Sequence, residues 1–230
     1  MSDPQAKLII AIDGPAGAGK STIASRLARK LGYLNIETGA MYRALALKAI
    51  EGDVGLDDEE ALLELARKSR IRLEPTIDGN RVYLDGQEVS ERTRERDVTE
   101  AASRVSVHPA VRAWMVARQR EMGTGGGIVM EGRDIGTKVF PDADVKIFLD
   151  ATPGVRAERR VLQKQGAGSA EQAAIVAELQ ERDRRDRSRS SSPLVPATDA
   201  VVLDSSSLSI EQVIAKAEQL IAKKLGRAVV

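Results

Sequence analysis

Apolar positions along the chain change period in a regular order. Leu8 to Ile12 is an unbroken apolar run that reads as a buried strand, and Thr22 to Leu31 has the spacing of an amphipathic helix. Gly32 closes that helix, and Tyr33 to Ile36 predicts a second short strand. Thr38 is placed to N-cap a helix running towards Ile50, and Asp57 to Lys68 predicts another, with Leu62, Leu63, Leu65 and Ala66 on its apolar side. From Ile71 to Val89 the period falls to two, with Asp78-Gly79-Asn80 and Asp85-Gly86 as hairpin signals between the runs. Thr93 to Met122 returns to helix, with a boundary near His108-Pro109 because proline disfavours helix in the residue before it.

Gly123 to Gly127 reads as a connector. Strands follow at Ile128 to Met130 and Val145 to Leu149, the first leading into Glu131, Gly132, Arg133 and Asp134, the second into Asp150. Thr152-Pro153 starts a helix containing Arg156, Arg159 and Arg160, and a second helix runs from about Ala170 through Glu181 to Arg189, with Gly166 and Gly168 as a flexible joint between them. Ala200 to Leu203 is the last strand, and Ser209 with Gln212 forms a capping box for a final helix to Leu225. Strands alternating with helices predict an α/β fold around a parallel sheet, with a small antiparallel insert. In such sheets ligands gather beyond the C-terminal strand ends, where the charged residues fall here.

Composition narrows the partners. The 230 residues suit one domain with inserts, and 35 Lys and Arg against 34 Asp and Glu leave a formal charge of +1, which gives no global field for nucleic acid or membrane. The chain has no cysteine, which excludes disulfides and thiolate metal sites and fits a reducing cytoplasm. Neither a secretion signal nor a membrane span is expected, and a soluble cytoplasmic monomer is the expected state.

The most specific chemistry lies between the first strand and first helix. Gly14, Pro15, Ala16, Gly17, Ala18, Gly19, Lys20, Ser21 and Thr22 contain the GxxxxGK[ST] spacing of a phosphate-binding loop. Glycines let the loop wrap with its N–H groups inward, and the following helix presents the positive end of its dipole to the anion. Lys20 would reach the β- and γ-phosphates of a bound nucleotide, and Ser21 offers a hydroxyl suited to Mg²⁺. Glu131 and Asp150 end strands near this loop, and each suits either Mg²⁺ through water or a structural cap.

The segment Glu181 to Arg189, ERDRRDRSR, holds five arginines in nine residues. Arg182, Asp186 and Arg189 fall on one helical face, where a carboxylate between guanidiniums keeps them apart and oriented. A solvated ion-pair face, a nucleic-acid surface and a phosphoryl-transfer site are three readings of this segment. Near-neutral charge, interleaved carboxylates and six aromatic residues in the chain weigh against nucleic acid. Arg43 sits beyond another strand end, where it is either a ligand group or an ordinary surface arginine. His108, the single histidine, is given no catalytic role, because a phosphate oxygen acting as nucleophile needs no general base.

GPAGAGKST from Gly14, TGAMYR from Thr38, EGRDIGT from Glu131, VFPDA from Val139, KIFLDA from Lys146, ERDRRDRSR and PLVPATDAVVLD from Pro193 together resemble the bacterial cytidylate kinases, within the nucleoside monophosphate kinase group. The resemblance covers nearly the whole chain. It implies a three-layer P-loop kinase fold as one domain over 1–230: a core of 7–37, 123–152 and 193–230, a CMP-binding region with the β insert at 38–122, and a helical lid at 153–192. It implies Mg²⁺-dependent transfer from ATP to CMP or dCMP. By motif, Ser103, Arg112 and Asp134 would read cytosine, Thr38, Arg182 and Asp186 the ribose, and Arg43, Arg133 and Arg189 the CMP phosphate. Arg159 and Arg160 would close over the transferred group, joining Lys20, Arg133 and Arg189 as the catalytic set. The chain departs from the commoner family pattern at Glu37 and Glu131, where aspartate is frequent. Another small-molecule P-loop kinase and a regulatory or nucleic-acid-dependent NTPase are the alternatives.

Overall fold

The strand β1 (Ile9–Asp13) is buried along almost its whole length and stands at the centre of a five-stranded sheet. A computed structural model of the protein describes residues 7–76, 79–163 and 168–226. On one side β1 pairs with β6 (Ile128–Gly132), which pairs in turn with β2 (Leu34–Glu37). On the other it pairs with β7 (Val145–Asp150), which pairs with β8 (Val201–Asp204). All four pairings are parallel. Burial on both faces explains why β1 and β6 open as continuous apolar runs, while β7 is broken by Lys146, which is paired with Asp199.

Helices cover both faces, giving the three layers expected. Helices α1 (Lys20–Leu31) and α8 (Ile210–Lys224) pack Ile23, Leu27, Val213 and Ile221 against Ile10, Ile12 and Ile147 of the sheet. On the opposite face Ile36, Ile128, Met130, Ile135 and Val139 form a second cluster. A third core lies beyond it. Here α2 (Gly39–Glu51), α3 (Glu59–Arg67), α4 (Arg96–Val105) and α5 (Pro109–Gly123) bury Leu45, Leu62, Val98 and Met115 around one another.

The insert is an antiparallel sheet of β3 (Ile71–Thr76), β4 (Gly79–Leu84) and a two-residue β5 (Gln87–Glu88). Asp85 and Gly86 both have positive φ, at 52° and 94°, as the tight hairpin turn demands. Of the other predicted turn, Asp78 lies outside the described residues, as does Gly166 of the joint between the last two arginine-bearing helices. Asn80 stitches the insert to the main sheet: its amide group donates to the Asn35 carbonyl at 2.7 Å and accepts from the Glu37 N–H at 2.8 Å.

Several local expectations change. Thr38 occupies the N-cap position of α2 but has helical φ and ψ and makes no side-chain cap. Its hydroxyl instead donates to the Glu131 carbonyl at 2.8 Å, because the helix start is buried against the end of β6, where that carbonyl competes for it. The helical stretch from Thr93 to Met122 breaks at His108-Pro109 as expected, with Pro109 the first residue of α5, but its start is a 3₁₀ turn at Arg92–Arg94 that precedes α4. After β6 the chain makes a π-helical turn, Ile135–Val139, that no periodicity announced. Helices α6 (Pro153–Gln163) and α7 (Ser169–Ser188) follow β7, and Arg189 lies just past the end of α7 rather than within it. The capping box of Ser209 and Gln212 forms as expected.

Candidate functional site

Each of the five parallel strands carries a carboxylate at or next to its C-terminal end: Asp13, Glu37, Glu131, Asp150 and Asp204. They have different fates. Asp13 accepts from the N–H groups of Ile135 and Gly136 at 2.8 and 2.7 Å, so it caps the π turn, and burial pushes its carboxyl up to about 6. Asp150 accepts from the Ala151 N–H at 2.8 Å and serves as a local cap.

The glycine loop starts at the end of β1. Gly14, Gly17 and Gly19 have φ of 149°, 79° and 98°, and a Cβ on Gly14 would stand 2.0 Å from the Leu149 carbonyl oxygen. Only glycine fits there. Lys20 is buried, and its ammonium donates to the Pro15 carbonyl at 2.8 Å. Burial first, and the Arg133 guanidinium second, bring its pKa down to about 7. Ser21 and Thr22 open the exposed side of α1 and line the same cleft.

Across the loop stands Glu131, buried and held up at about 7 by burial and by the neighbouring Glu37, against the pull of Lys20, the Ser21 hydroxyl and Arg133. Its Oε1 is buried with no hydrogen-bond partner. Burial also pushes Glu37 upward, but Arg43, bonded to it at 2.7 Å, with Arg94 and Lys20, outweighs this and holds it below the usual carboxylate range. Among the described residues no three carboxylate or imidazole groups form a metal cage. Mg²⁺ commonly rests on one or two carboxylates together with substrate phosphates, so the Ser21 hydroxyl and the orphaned Glu131 oxygen are a donor set that fits it.

A cleft of about 680 Å³ holds the loop residues Gly17 to Thr22 together with Arg43, Arg133, Arg160 and Arg182. Asp186 organises the arginines. Its carboxylate accepts from Arg133 Nε at 2.8 Å and lies 3.5 Å from Arg189 Nη1. Burial pushes Asp186 upward, but Arg133, Arg182 and Arg189 together hold it at about 2. The cations outnumber this acid. Burial and then Arg133 bring Arg182 down to about 9, and Arg43 Nε, Arg182 Nε and Arg189 Nε and Nη2 are buried without partners. Buried donors of one charge, held close and unpaired, are the physical signature of an anion site.

Beside this ring, Arg112 Nη2 donates to Asp134 at 2.6 Å, with both side chains almost fully buried. Arg112 Nη1 donates to the Ser106 carbonyl at 3.0 Å, and the Ser106 hydroxyl donates to the Ser103 carbonyl at 3.0 Å. The Ser103 hydroxyl and Arg112 Nε have no partner. The three residues expected at a base therefore belong to one polar network with spare hydrogen-bonding capacity. The adjacent arginines of α6 separate. Both line the cleft, but Arg160 feels Arg133, Arg43 and Glu37, whereas Arg159 donates to the Ala18 carbonyl at 3.2 Å and to the Ser205 carbonyl at 2.6 Å. His108 bonds the Leu56 carbonyl at 2.8 Å and is not among the residues that line the cleft.

Sequence reasoning gave no role to Asp13, Arg94, Thr99 or Arg156. Arg94 and Thr99 line the cleft. Asp13 carried one signal, a carboxylate closing an apolar strand. Arg156 carried another, an arginine one helical turn before Arg159 and Arg160.

Comparison with known proteins gives a consistent result. The family described as "Cytidylate kinase" matches residues 10–223. The cytidylate kinase of Pelotomaculum thermopropionicum is 52% identical over 89% of this chain and 92% of its own, and that of Salmonella arizonae is 50% identical over 96% and 97%. Among solved structures, an uncharacterized protein from Eubacterium ventriosum superposes with a TM-score of 0.50 at 13% identity, covering 96% of this chain and 99% of that one, a likeness of fold. With a parallel P-loop sheet, an antiparallel insert and a match across nearly its whole length, the chain belongs to the cytidylate kinase family.

Proposed function

We infer that the protein transfers the γ-phosphoryl group of ATP to CMP or dCMP, giving ADP and CDP or dCDP. The observation that carries this reading is the set of unpaired guanidinium donors sharing one cleft with the glycine loop. The loop from Gly14 to Thr22 grips the donor phosphates through its amides. Arg43, Arg133 and Arg189 hold the acceptor phosphate, with Thr38, Arg182 and Asp186 at the ribose. Asp134 accepts from the exocyclic amine of cytosine, while Ser103 and Arg112 donate to its ring acceptors. Uracil offers a carbonyl where cytosine has the amine, which leaves the buried carboxylate without its donor.

Lys20 and Arg160 stabilise charge spreading over the transferred group, and Arg133 and Arg189 do so from the acceptor side. The tie of Arg159 to Ala18 and Ser205 favours a supporting role in the donor loop beside its proposed place over the phosphoryl. Ser21 and Glu131 would hold Mg²⁺, which when bound neutralises the phosphate oxygens. No general base is needed, since the acceptor phosphate oxygen is already a nucleophile. The chain is read as one kinase domain, with a core of 7–37, 123–152 and 193–230, an acceptor region of 38–122 and a lid of 153–192 that excludes water. The protein is read as a cytoplasmic monomer that uses no nucleic acid: its charge of +1 gives no general attraction to polyanions, and no helix among the described residues is long and apolar enough to cross a membrane.

Coupled ADP release measured against a panel of nucleoside monophosphates tests the assignment. CMP and dCMP should support turnover far better than UMP, AMP or GMP. Asp134→Ala should cut the CMP over UMP preference by about 10–100-fold while leaving ATP binding nearly intact. Equal efficiency with CMP and UMP in the unaltered protein would remove Asp134 from base selection, and turnover dependent on RNA or DNA but indifferent to CMP would replace the whole reading.

A further inference from the structure

Arg156, in the first turn of α6, is 2% exposed and serves three segments at once. Its Nε donates to the Ala151 carbonyl at 2.9 Å, and Nη1 donates to the carbonyl of Ala16, inside the glycine loop, at 3.0 Å. Its Nη1 and Nη2 also grip the Asp183 carboxylate of α7 at 3.1 and 2.5 Å. Packing reinforces the junction. A Cβ on Gly17 would stand 3.1 Å from Arg156 Cβ, and Ala16, Ala157, Ile175 and Leu179 form one apolar cluster across loop, α6 and α7. Asp183 directly follows Arg182 and precedes Asp186 by about one helical turn. The donor loop and the acceptor-side arginines thus hang on a single guanidinium.

We propose that Arg156 is a positioning residue that couples the two nucleotide sites, so that a donor in the glycine loop raises affinity for the acceptor and the acceptor raises affinity for the donor. This rests on the kinase reading above. A planar, bidentate Arg–carboxylate pair transmits orientation as well as charge, and a lysine cannot reproduce its fork. Ala16 is part of the loop that wraps the donor phosphates, so a shift in its carbonyl reaches α7 through this side chain. Reciprocity follows from linkage, and couplings of this kind span about 5–150-fold.

The test is a CMP titration of the full chain with Mg²⁺, with and without a non-hydrolysable ATP analogue, on the parent protein and on Arg156→Met, Arg156→Lys and Asp183→Asn. The parent should bind CMP at least about 5-fold more tightly when the analogue is present. In Arg156→Met and Asp183→Asn that ratio should fall below about 2-fold, while the affinity for each nucleotide alone stays within about 3-fold of the parent, and Arg156→Lys should be intermediate. In steady state, the KM for CMP at saturating ATP should rise while kcat changes less. A parent ratio of one overturns the proposal, as does an unchanged ratio in Asp183→Asn, the milder variant that decides the matter if Arg156→Met fails to fold. Equal losses with and without analogue would mean a merely structural role. A parent protein that binds no CMP under either condition would instead overturn the kinase reading itself.

Discussion

In the proposed reading the cleft has two unlike halves: on the donor side the anion-binding groups are backbone amides, in a loop with three glycines at positive φ and in close contact with Leu149. On the acceptor side they are guanidiniums contributed by α2, the β6 end and α7, held apart by Asp186 and left with buried donors unpaired. The first half is stiff because few backbones can take its shape. The second assembles charges of one sign at a cost in burial first and in repulsion from Arg133 second, both visible in the lowered pKa of Arg182. A backbone cradle recognises phosphate on any nucleotide, whereas a side-chain ring next to a base-reading network can choose its ligand.

The sharpest way to break this contrast is to remove the charged side chain that the glycine loop itself carries. Lys20→Ala should lower kcat by about 10³-fold while CMP affinity moves only a few-fold, measured by pre-steady-state turnover and equilibrium titration. Near-full rate would take Lys20 out of the mechanism. Arg189→Met should lower kcat/KM for CMP by about 10²-fold, through both KM and kcat, and leave the KM for ATP nearly unchanged. Equal effects on both substrates would show that the halves are not separate.

Asp186 allows a pH test of the ring. Its folded pKa of about 2 lies below the ordinary 3.8, so its contribution to stability is complete above about pH 4 and is lost as pH falls towards 2. Asp186→Asn should therefore be less stable than the parent at pH 7, by about 2 kcal/mol or more, and the gap in denaturant midpoints should narrow below about pH 4. A gap independent of pH would assign the loss to packing. The smallest effect is expected away from both halves. Asp58 caps α3 through the Ala61 N–H at 3.0 Å, and Asp58→Ala should cost about 1 kcal/mol without altering either KM.

The two halves also differed in how far they could be read from the residues. The glycine loop is contiguous, so its motif, flanking strand and helix announced it together. The parallel strands, the Asp85-Gly86 turn and the Pro109 helix start were legible for the same local reason. The acceptor ring draws on residues from 38 to 189, and no spacing within the chain brings Arg133 beside Asp186. That grouping came from resemblance. Side-chain direction was the least legible property. Thr38 stands at a helix start but turns to Glu131, Arg159 and Arg160 are adjacent but face different neighbours, and the π turn forms because Asp13, distant in sequence, satisfies its first amides.

That last contact joins two segments. Asp13 immediately precedes Gly14, where the donor loop begins, and grips the two amides that follow Asp134. The start of the glycine loop and the turn that follows Asp134 are therefore moored to one carboxylate, so a displacement at the end of β1 would be felt by both.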